Sequence, residues 1–367
     1  MSWPIEKLGS LVSIKGGGTP SKKVEEYWNG NIPWASVKDL KSRILLRTED
    51  SITQLGVDKS ATNVIPKNTI IIPTRMALGK VAIAGVDLAI NQDLKALFIN
   101  NESILDKEYL ARFLESKATY IEGEGKGATV KGITLDFLKE LQIPLPPLEE
   151  QKRIAAILDK ADAICQKRKQ AIELADEFLR SVFLDMFGDI PAKISKYSFS
   201  GCRGAVLASS GKSSKHVISD KQTDIPVYGG NGINGYSTEV LYEEPVVIVG
   251  RVGQQCAITN LSEGPCWVTD NAIVLKIIDE SKYDAAYLAH ALIHSPIRNS
   301  VTQLDLPFIN QSMILDYPIP LPPIEEQRKF SAIRTKLKEH MSIQTTAFEQ
   351  SEVQFKALSQ NAFSGQL

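Results

Sequence analysis

The sequence predicts an α+β fold: two domains of mixed α/β type separated by an antiparallel pair of long helices (a coiled coil), arranged as a pseudo-twofold internal repeat. Three observations predict it. A nine-residue segment occurs twice, two long runs lack both glycine and proline, and strand-like segments of matching character precede each run.

The repeated segment is Ile143-Pro144-Leu145-Pro146-Pro147-Leu148-Glu149-Glu150-Gln151. It recurs 176 residues later as Ile319-Pro320-Leu321-Pro322-Pro323-Ile324-Glu325-Glu326-Gln327, with Leu148/Ile324 the single difference. One copy alone reads as an exposed polyproline turn. Two copies point to a structural role in a duplicated chain. Behind each copy lie 39 residues without Gly or Pro, Glu149–Phe187 and Glu325–Phe363. Proline ahead, acidic residues in the first turn and Gly188 or Gly365 just beyond are helix punctuation. Fully helical, each run is about 58 Å long.

A helix of that length must bury an apolar stripe. The first offers Ile154, Ile157, Ala161, Ile164, Ala171, Ala175, Phe178 and Val182, flanked by a seven-residue row of Leu158, Cys165, Ile172, Leu179 and Met186. The second offers Phe330, Ile333, Leu337, Met341, Ala347, Phe348, Phe355 and Leu358. The reading is an antiparallel pair; the alternative is that each helix packs on its own domain.

Upstream of the first helix, residues 69–73, 80–84 and 96–99 read as strands, and upstream of the second, residues 245–251 and 272–277 correspond. Arg75 and Arg251 share the 176-residue offset, each just after a strand, and Tyr109-Leu110 and Tyr287-Leu288 begin matching helices. The division is therefore 1–143 (first domain), 144–190 (central helical spacer), 191–318 (second domain) and 319–367 (C-terminal helical spacer). The intervening loops differ more than the strands and helices, which suggests two versions of one binding task.

Lys plus Arg total 42 against 43 Asp plus Glu, a net charge of −1. That argues against a nucleic-acid binder relying on bulk positive charge, but leaves room for local basic loops. No apolar run approaches the roughly 18 residues of a membrane span, and no leader pattern opens the chain. Cys165, Cys202, Cys256 and Cys266 form no CxxC pair, so a zinc knuckle is not expected, and a reduced, cytoplasmic protein is.

These features resemble the specificity (S) subunit of Type I restriction–modification systems. The resemblance rests on the doubled PLPP-[LI]-EEQ lead-in to a long helix, on Gly16-Gly17-Gly18-Thr19-Pro20-Ser21, and on Tyr27-Trp28-Asn29-Gly30-Asn31-Ile32-Pro33-Trp34 with Lys38-Asp39-Leu40. It covers essentially the whole chain. The second domain departs at its start, with residues 209–214 (SSGKSS) and 225–232 (IPVYGGNG) instead.

The resemblance implies that each domain is a target recognition domain reading one half of a bipartite double-stranded DNA target, while the helices fix the gap. It implies two methyltransferase (M) subunits and, in the full complex, restriction (R) subunits as partners, with no membrane involved. The chain itself would be non-catalytic and hold no cofactor; AdoMet, and ATP with Mg, would belong to the partner subunits. Two related domains on an antiparallel pair suit half-sites about one helical turn, roughly 34 Å, apart. With a net charge near zero, the isolated chain is expected to bind DNA weakly and to lean on its partners.

The missing chemistry agrees. Neither Pro-Pro pair sits in the [ND]PP[YF] setting an adenine methyltransferase of this class needs, and no GxxxxGK[ST] exists. Residues 123–128 fit GxGxxA but follow a helical pattern rather than a strand. Glu124-x-Lys126 has nuclease-like spacing with no upstream Pro-Asp; a basic loop near DNA and a plain solvated turn are both open. His290 and His294 are spaced i, i+4 without the Glu of HExxH, so a helix face is favoured over a metal site. The other function classes are a stand-alone DNA methyltransferase or nuclease, and a coiled-coil adaptor.

Arg, Lys, Asn and Gln on loops make the usual contacts to bases and phosphates. The candidates are Lys22, Lys23, Lys38, Arg75, Lys80 and Lys126 in the first domain. In the second they are Lys212, Lys215, Asn231, Asn234, Arg251, Gln254 and Gln255. The run Gly229-Gly230-Asn231-Gly232 either lets backbone approach DNA or turns. The candidate partner-docking surface is Pro146, Pro147, Glu149, Glu150, Gln151, Pro322, Pro323, Glu325, Glu326 and Gln327. Capping and aiming the helices is the other role for these residues.

Overall fold

The computed structural model describes residues 3–127, 129–218, 225–301 and 307–367. The chain divides into two compact units, Met1–Arg168 with Ala347–Leu367, and Lys169–Thr346. The division cuts both long helices, so the helices contribute to the units instead of forming segments of their own.

Apart from a two-stranded pair, Ile5–Lys7 with Gln142–Pro144, unit 1 is built on two sheets. The larger runs Val12–Gly16, Leu94–Ile99, Ile70–Pro73, Ala82–Ala84, Ile44–Leu45 in spatial order; the smaller runs Asp50–Ile52, Trp28–Ala35, Leu88–Ile90, Asn63–Ile65. Every residue of Ile70–Pro73 is buried. Side chains alternate faces along a strand: Ile70 and Ile72 enter one core with Leu97, Tyr109 and Phe113, and Ile71 enters another with Leu88, Ile90 and Ala96. That is why this strand reads as an unbroken apolar run rather than an alternating one.

Unit 2 repeats the plan. Its four-stranded sheet runs Val206–Ser210, Ala272–Ile277, Val247–Gly250, Thr259–Leu261, the order of the first four strands above. Its smaller sheet runs Gly232–Ser237, Ile225–Gly229, Trp267–Val268. In both units the small sheet contains one parallel pair, Trp34 opposite Ala89 and Tyr228 opposite Val268. Each unit also has a short helix capped by an aspartate: Asp106 accepts from the Tyr109 amide at 2.9 Å, and Asp284 from the Tyr287 amide at 3.0 Å.

The long helices span Leu148–Phe187 and Ile324–Ser364. Gly188 and Gly365 follow at positive φ, the left-handed cap a helix end favours. In unit 1 the start of the central helix (Ile154, Leu158) shares a core with the end of the C-terminal helix (Leu358, Ala362). In unit 2 the end of the central helix (Phe183, Phe187) meets the start of the C-terminal helix (Phe330). The helices are therefore antiparallel, and each half also packs on the domain beside it; both packing alternatives hold together.

The seam differs in part from the expected stripe. On the central helix Leu158, Cys165 and Leu179 of the flanking row are buried, while Ile164 is 50% and Phe178 55% exposed. On the C-terminal helix Phe330 is buried as expected, but so are Arg334, Ser351 and Ala362 at the same three–four spacing. Arg168 donates to the Ala347 carbonyl and the Ser351 hydroxyl across the seam. A stripe chosen by apolarity alone passes over such polar positions.

The doubled PLPP-[LI]-EEQ segment owes its form to its last residue. Gln151 is fully buried; its Oε1 accepts from the Asp106 amide (2.8 Å) and its Nε2 donates to the carbonyls of Ile104 (2.8 Å) and Pro146 (2.9 Å). Gln327 repeats this with the Asp284 amide (2.9 Å) and the carbonyls of Lys282 (2.8 Å) and Pro322 (2.9 Å). Tyr109 and Tyr287 add hydroxyl bonds to the carbonyls of Pro144 and Pro320. One side chain thus ties the start of each long helix to the cap of the short one. Gln151 and Gln327, with the buried Pro146 and Pro322, are corrected from docking surface to interior. A carboxamide suits the task because it donates and accepts without carrying a charge into the core.

Beside these bolts the units use different chemistry. In unit 1 Arg112, 5% exposed, binds Asp159 (2.7 Å) and Asp162 (2.9 Å) of the central helix. In unit 2 the long helix supplies the cation: Arg334 donates to His290 Nε2 (3.2 Å) and pairs with Glu263 (2.5 Å). Burial, with Arg334, His294 and Lys338 adding repulsion and Glu263 opposing it, pushes the His290 imidazole down to about 3.

Two outcomes follow from this packing. Gln327→Ala strands the buried Pro322 carbonyl together with the partly buried Lys282 carbonyl and Asp284 amide, and is expected to cost about 1–3 kcal/mol in denaturant unfolding, as is Gln151→Ala in unit 1. His290 stays neutral when folded, whereas the unfolded chain takes up the proton below about pH 6.5. Stability is therefore full above that pH and falls as pH drops toward 3. Between pH 6.5 and 5 the loss from this group is about 1.7 kcal/mol, and His290→Gln should make the thermal-melt profile shallower over that range, His294, also held low by burial, keeping the remainder.

Candidate functional site

The candidate positions lie on loops that the sheets hold at strand ends. In unit 1 the Gly16–Ser21 loop is fixed from beneath by tryptophans. Trp34 Nε1 donates to the Gly18 carbonyl (3.0 Å) and Trp28 Nε1 to the Ser21 carbonyl (3.1 Å), the rings meeting edge to face at 5.2 Å. A Cβ on Gly17 would lie 1.9 Å from the Ile90 carbonyl oxygen, so this loop packs where no side chain fits. The glycines and tryptophans serve loop position, and the loop carries Lys22 and Lys23, both exposed.

In unit 2 the same job falls to a different strand. Trp267 Nε1 donates to the Lys212 carbonyl (3.1 Å), and Gly211 lies against the Thr269 backbone. Lys212 and Lys215 are exposed. The Gly229–Gly232 run resolves as a two-residue hairpin turn, Gly229 pairing with Gly232. It presents Asn231 and Asn234 as exposed side chains.

The structure joins two candidates that the sequence kept apart. The loop after residue 123 doubles back, Lys126 and Gly132 exchanging both backbone hydrogen bonds at 2.9 Å. Gly132 also bridges Arg75, and the Met76 amide donates to the Lys131 carbonyl at 3.0 Å. Arg75, Lys126 and Lys131, all exposed, are therefore brought together on adjoining backbone segments, which form one ridge. Lys131 was missed, because its partner strand end is some 55 residues away in sequence. No strand precedes Gly123, which ends a helix at Ala118–Gly123, so the GxGxxA segment lacks a dinucleotide setting; its Ala128 lies outside the described residues.

The counterpart of this ridge corrects the equivalence of Arg75 and Arg251. The Thr74 amide bonds the Asp93 carbonyl and the Ile133 amide bonds the Thr74 carbonyl; in unit 2 the Arg251 amide bonds Asn271 and the Ile309 amide bonds Arg251. Arg75 bridges Gly132 as Val252 bridges Phe308. Arg251 thus stands in the place of Thr74, and Val252 in that of Arg75. In extended backbone a slip of one residue turns the side chain to the other face.

The remaining candidates are partly engaged. Arg75, 66% exposed, has Asp93 at 3.9 Å, and Lys80 Nζ donates to the Leu40 carbonyl at 3.0 Å. Lys38 is paired with Glu49 (3.1 Å) and Asp50 (2.9 Å), and the hydrogen bonds to these carboxylates raise its ammonium pKa, so its charge is already matched. Gln254 and Gln255 are exposed; the Gln254 carbonyl accepts from Arg298 at 2.7 Å. At the helix starts Pro147, Glu149, Pro323 and Glu325 are exposed, while Glu150 and Glu326 bind Arg153 and Lys329 one turn on.

His290 and His294 pack against Phe183 and Phe330 in the unit 2 core, ring centres 4.9–6.4 Å away. Among the described residues no group of three or more His, Cys, Asp or Glu could hold a metal ion. Nor, among them, is any helix long and apolar enough to cross a membrane.

Comparison with known proteins gives this geometry a context. Residues 2–174 and 207–351 match the family described as Type I restriction modification DNA specificity domain. The chain is 30% identical over 190 residues to the Type I restriction enzyme MjaIX specificity subunit of Methanocaldococcus jannaschii, covering 51% of this chain and 44% of that one. It is 41% identical over 164 residues to the EcoR124I/EcoR124II specificity subunit of Escherichia coli, covering 43% and 40%. These two matches span less than half of each relative's length. With the EcoprrI specificity subunit of Escherichia coli, identity is 25% over 349 residues, covering 90% and 86%. The crystal structure of a Type I restriction–modification S subunit from M. genitalium has the same fold, with a TM-score of 0.68, 20% identity and coverage of 99% and 96%.

Proposed function

The chain belongs to the Type I restriction–modification DNA specificity family, and on that premise we propose that it is the DNA-recognition subunit of such a system. Each unit reads one half of a bipartite duplex target, and the long helices set the gap. The observation that carries this reading is the doubling itself. One strand order and one glutamine bolt occur twice, beneath loops that differ in residues, in tryptophan anchor and in register. A repeated frame with unlike loops suits two readers of unlike sequences better than an adaptor, whose two surfaces would need no such divergence.

Within unit 1 the ridge of Arg75, Lys126 and Lys131 meets DNA together with Lys22 and Lys23. Lysines there balance phosphate charge and fix position, while the forked guanidinium of Arg75 suits a guanine edge. In unit 2 the corresponding loops bring Lys212, Lys215, Asn231, Asn234, Arg251, Gln254 and Gln255. Two M subunits dock at the exposed residues of the two helix starts, Pro147 and Glu149, Pro323 and Glu325. AdoMet-dependent methyl transfer, and ATP with Mg in an assembly containing R subunits, belong to those partners. The complex works in the cytoplasm, where the DNA is.

Three outcomes test this reading. Mapping methylated adenines in cells with and without the chain and its M partner should reveal a split motif that depends on the chain; a continuous motif, or none, contradicts it. In the assembled complex Arg75→Ala should cost about 1–3 kcal/mol and relax one base position, read by competition binding. Lys131→Ala should weaken all sequences alike and lower the salt-dependence slope by about 1, read by titration at several salt concentrations.

A further inference from the structure

Met76 stands in the middle of the unit 1 ridge in a conformation its side chain resists. Its φ is 63°, the left-handed region that costs a residue with a Cβ roughly 1–2 kcal/mol. The other non-glycine residues at positive φ among those described are Asn29, Asn68, Lys193 and Ala257. Asparagine tolerates that region, Lys193 is polar and Ala257 is buried. Met76 alone among them is a large apolar side chain held there in the open, 52% exposed.

The turn needs the conformation and not the methionine. In unit 2 the equivalent residue is Gly253, at φ 70°, and its amide bonds the Pro307 carbonyl (2.8 Å) as the Met76 amide bonds Lys131. Glycine would take this conformation without cost. The side chain therefore adds strain, leaves about half its surface in solvent, and sits next to Arg75 on the segment that pairs with Lys131 and Gly132.

We propose that Met76 is a specificity-determining residue that makes an apolar contact to one base edge, the C5-methyl face of a thymine, in the half-site read by unit 1. The inference rests on the proposed function and deepens it. Flanking cations hold the phosphates on either side, and the flexible thioether fits an apolar patch that lysine or arginine cannot use. Unit 2, bare at Gly253, makes no such contact, so the two half-sites differ in this respect.

Met76→Gly tests it, because glycine relieves the strain and keeps the turn. In cells carrying the chain with its M partner, the methylated motif should keep its gap and its unit 2 half. One thymine position of the other half should lose discrimination, from roughly five- to tenfold to within about twofold. Met76→Asn, which also tolerates this conformation, should likewise lose the preference for thymine at that position. A motif unchanged at every position in both variants overturns the proposal. So does loss of all methylation in both, which would make Met76 a residue of folding or bulk affinity. If the unaltered chain itself directs no split motif, the reading of function falls instead, so the two failures are distinguishable.

Discussion

The constraint on which this structure depends is the satisfaction of a few backbone groups around one buried carboxamide where each long helix begins. A helix start leaves amides unpaired, and the loop ahead of the short capped helix leaves carbonyls unpaired. Gln151 and Gln327 each close that account with three hydrogen bonds from a fully buried carboxamide. The prolines before them fix the approach, and Tyr109 and Tyr287 hold the prolines' carbonyls. Because the long helix is tied to the short helix, and the short helix packs on the sheet, the direction of the helix and the position of the loops are set together.

That coupling explains what is alike in the two units and what is not. The frame repeats down to the parallel strand pair and the aspartate cap. Outside the bolt the solutions diverge: carboxylates around Arg112 in one unit, a neutral histidine and Glu263 around Arg334 in the other. Loop anchoring diverges too, through Trp28 and Trp34 in unit 1 and Trp267 in unit 2. A frame held by so few groups leaves loop residues free to differ, which a pair of readers for unlike half-sites requires.

Much of the architecture was legible in the sequence. The doubled segment, the glycine-free runs and the left-handed glycines at their ends located both long helices to within a residue. Other features were hidden for physical reasons. Glu-Glu-Gln looks like an exposed first turn, and nothing local reveals that its third member faces inward. The long helices make contacts through Arg168 and Ser351 with each other and through Arg334 with the unit 2 domain, polar positions that a search for apolar periodicity cannot select. The constant offset misled at Arg75 and Arg251. It holds at the bolt, but strand pairing puts Pro73 with Gly250, one residue out of step, because the loops between differ in length. The ridge of Arg75, Lys126 and Lys131 depends on a backbone contact between distant segments, which no local pattern records.

If each unit reads one half-site, positions 75 and 252, equivalent in backbone pairing, must meet different halves of one target. Photo-crosslinking from position 75 and from position 252, in the chain assembled with its M partner on target DNA, addresses this most directly. The expected result is two crosslinks, one in each half of the split motif. Crosslinks from both positions to the same half, or from neither to any base of the motif, would contradict it.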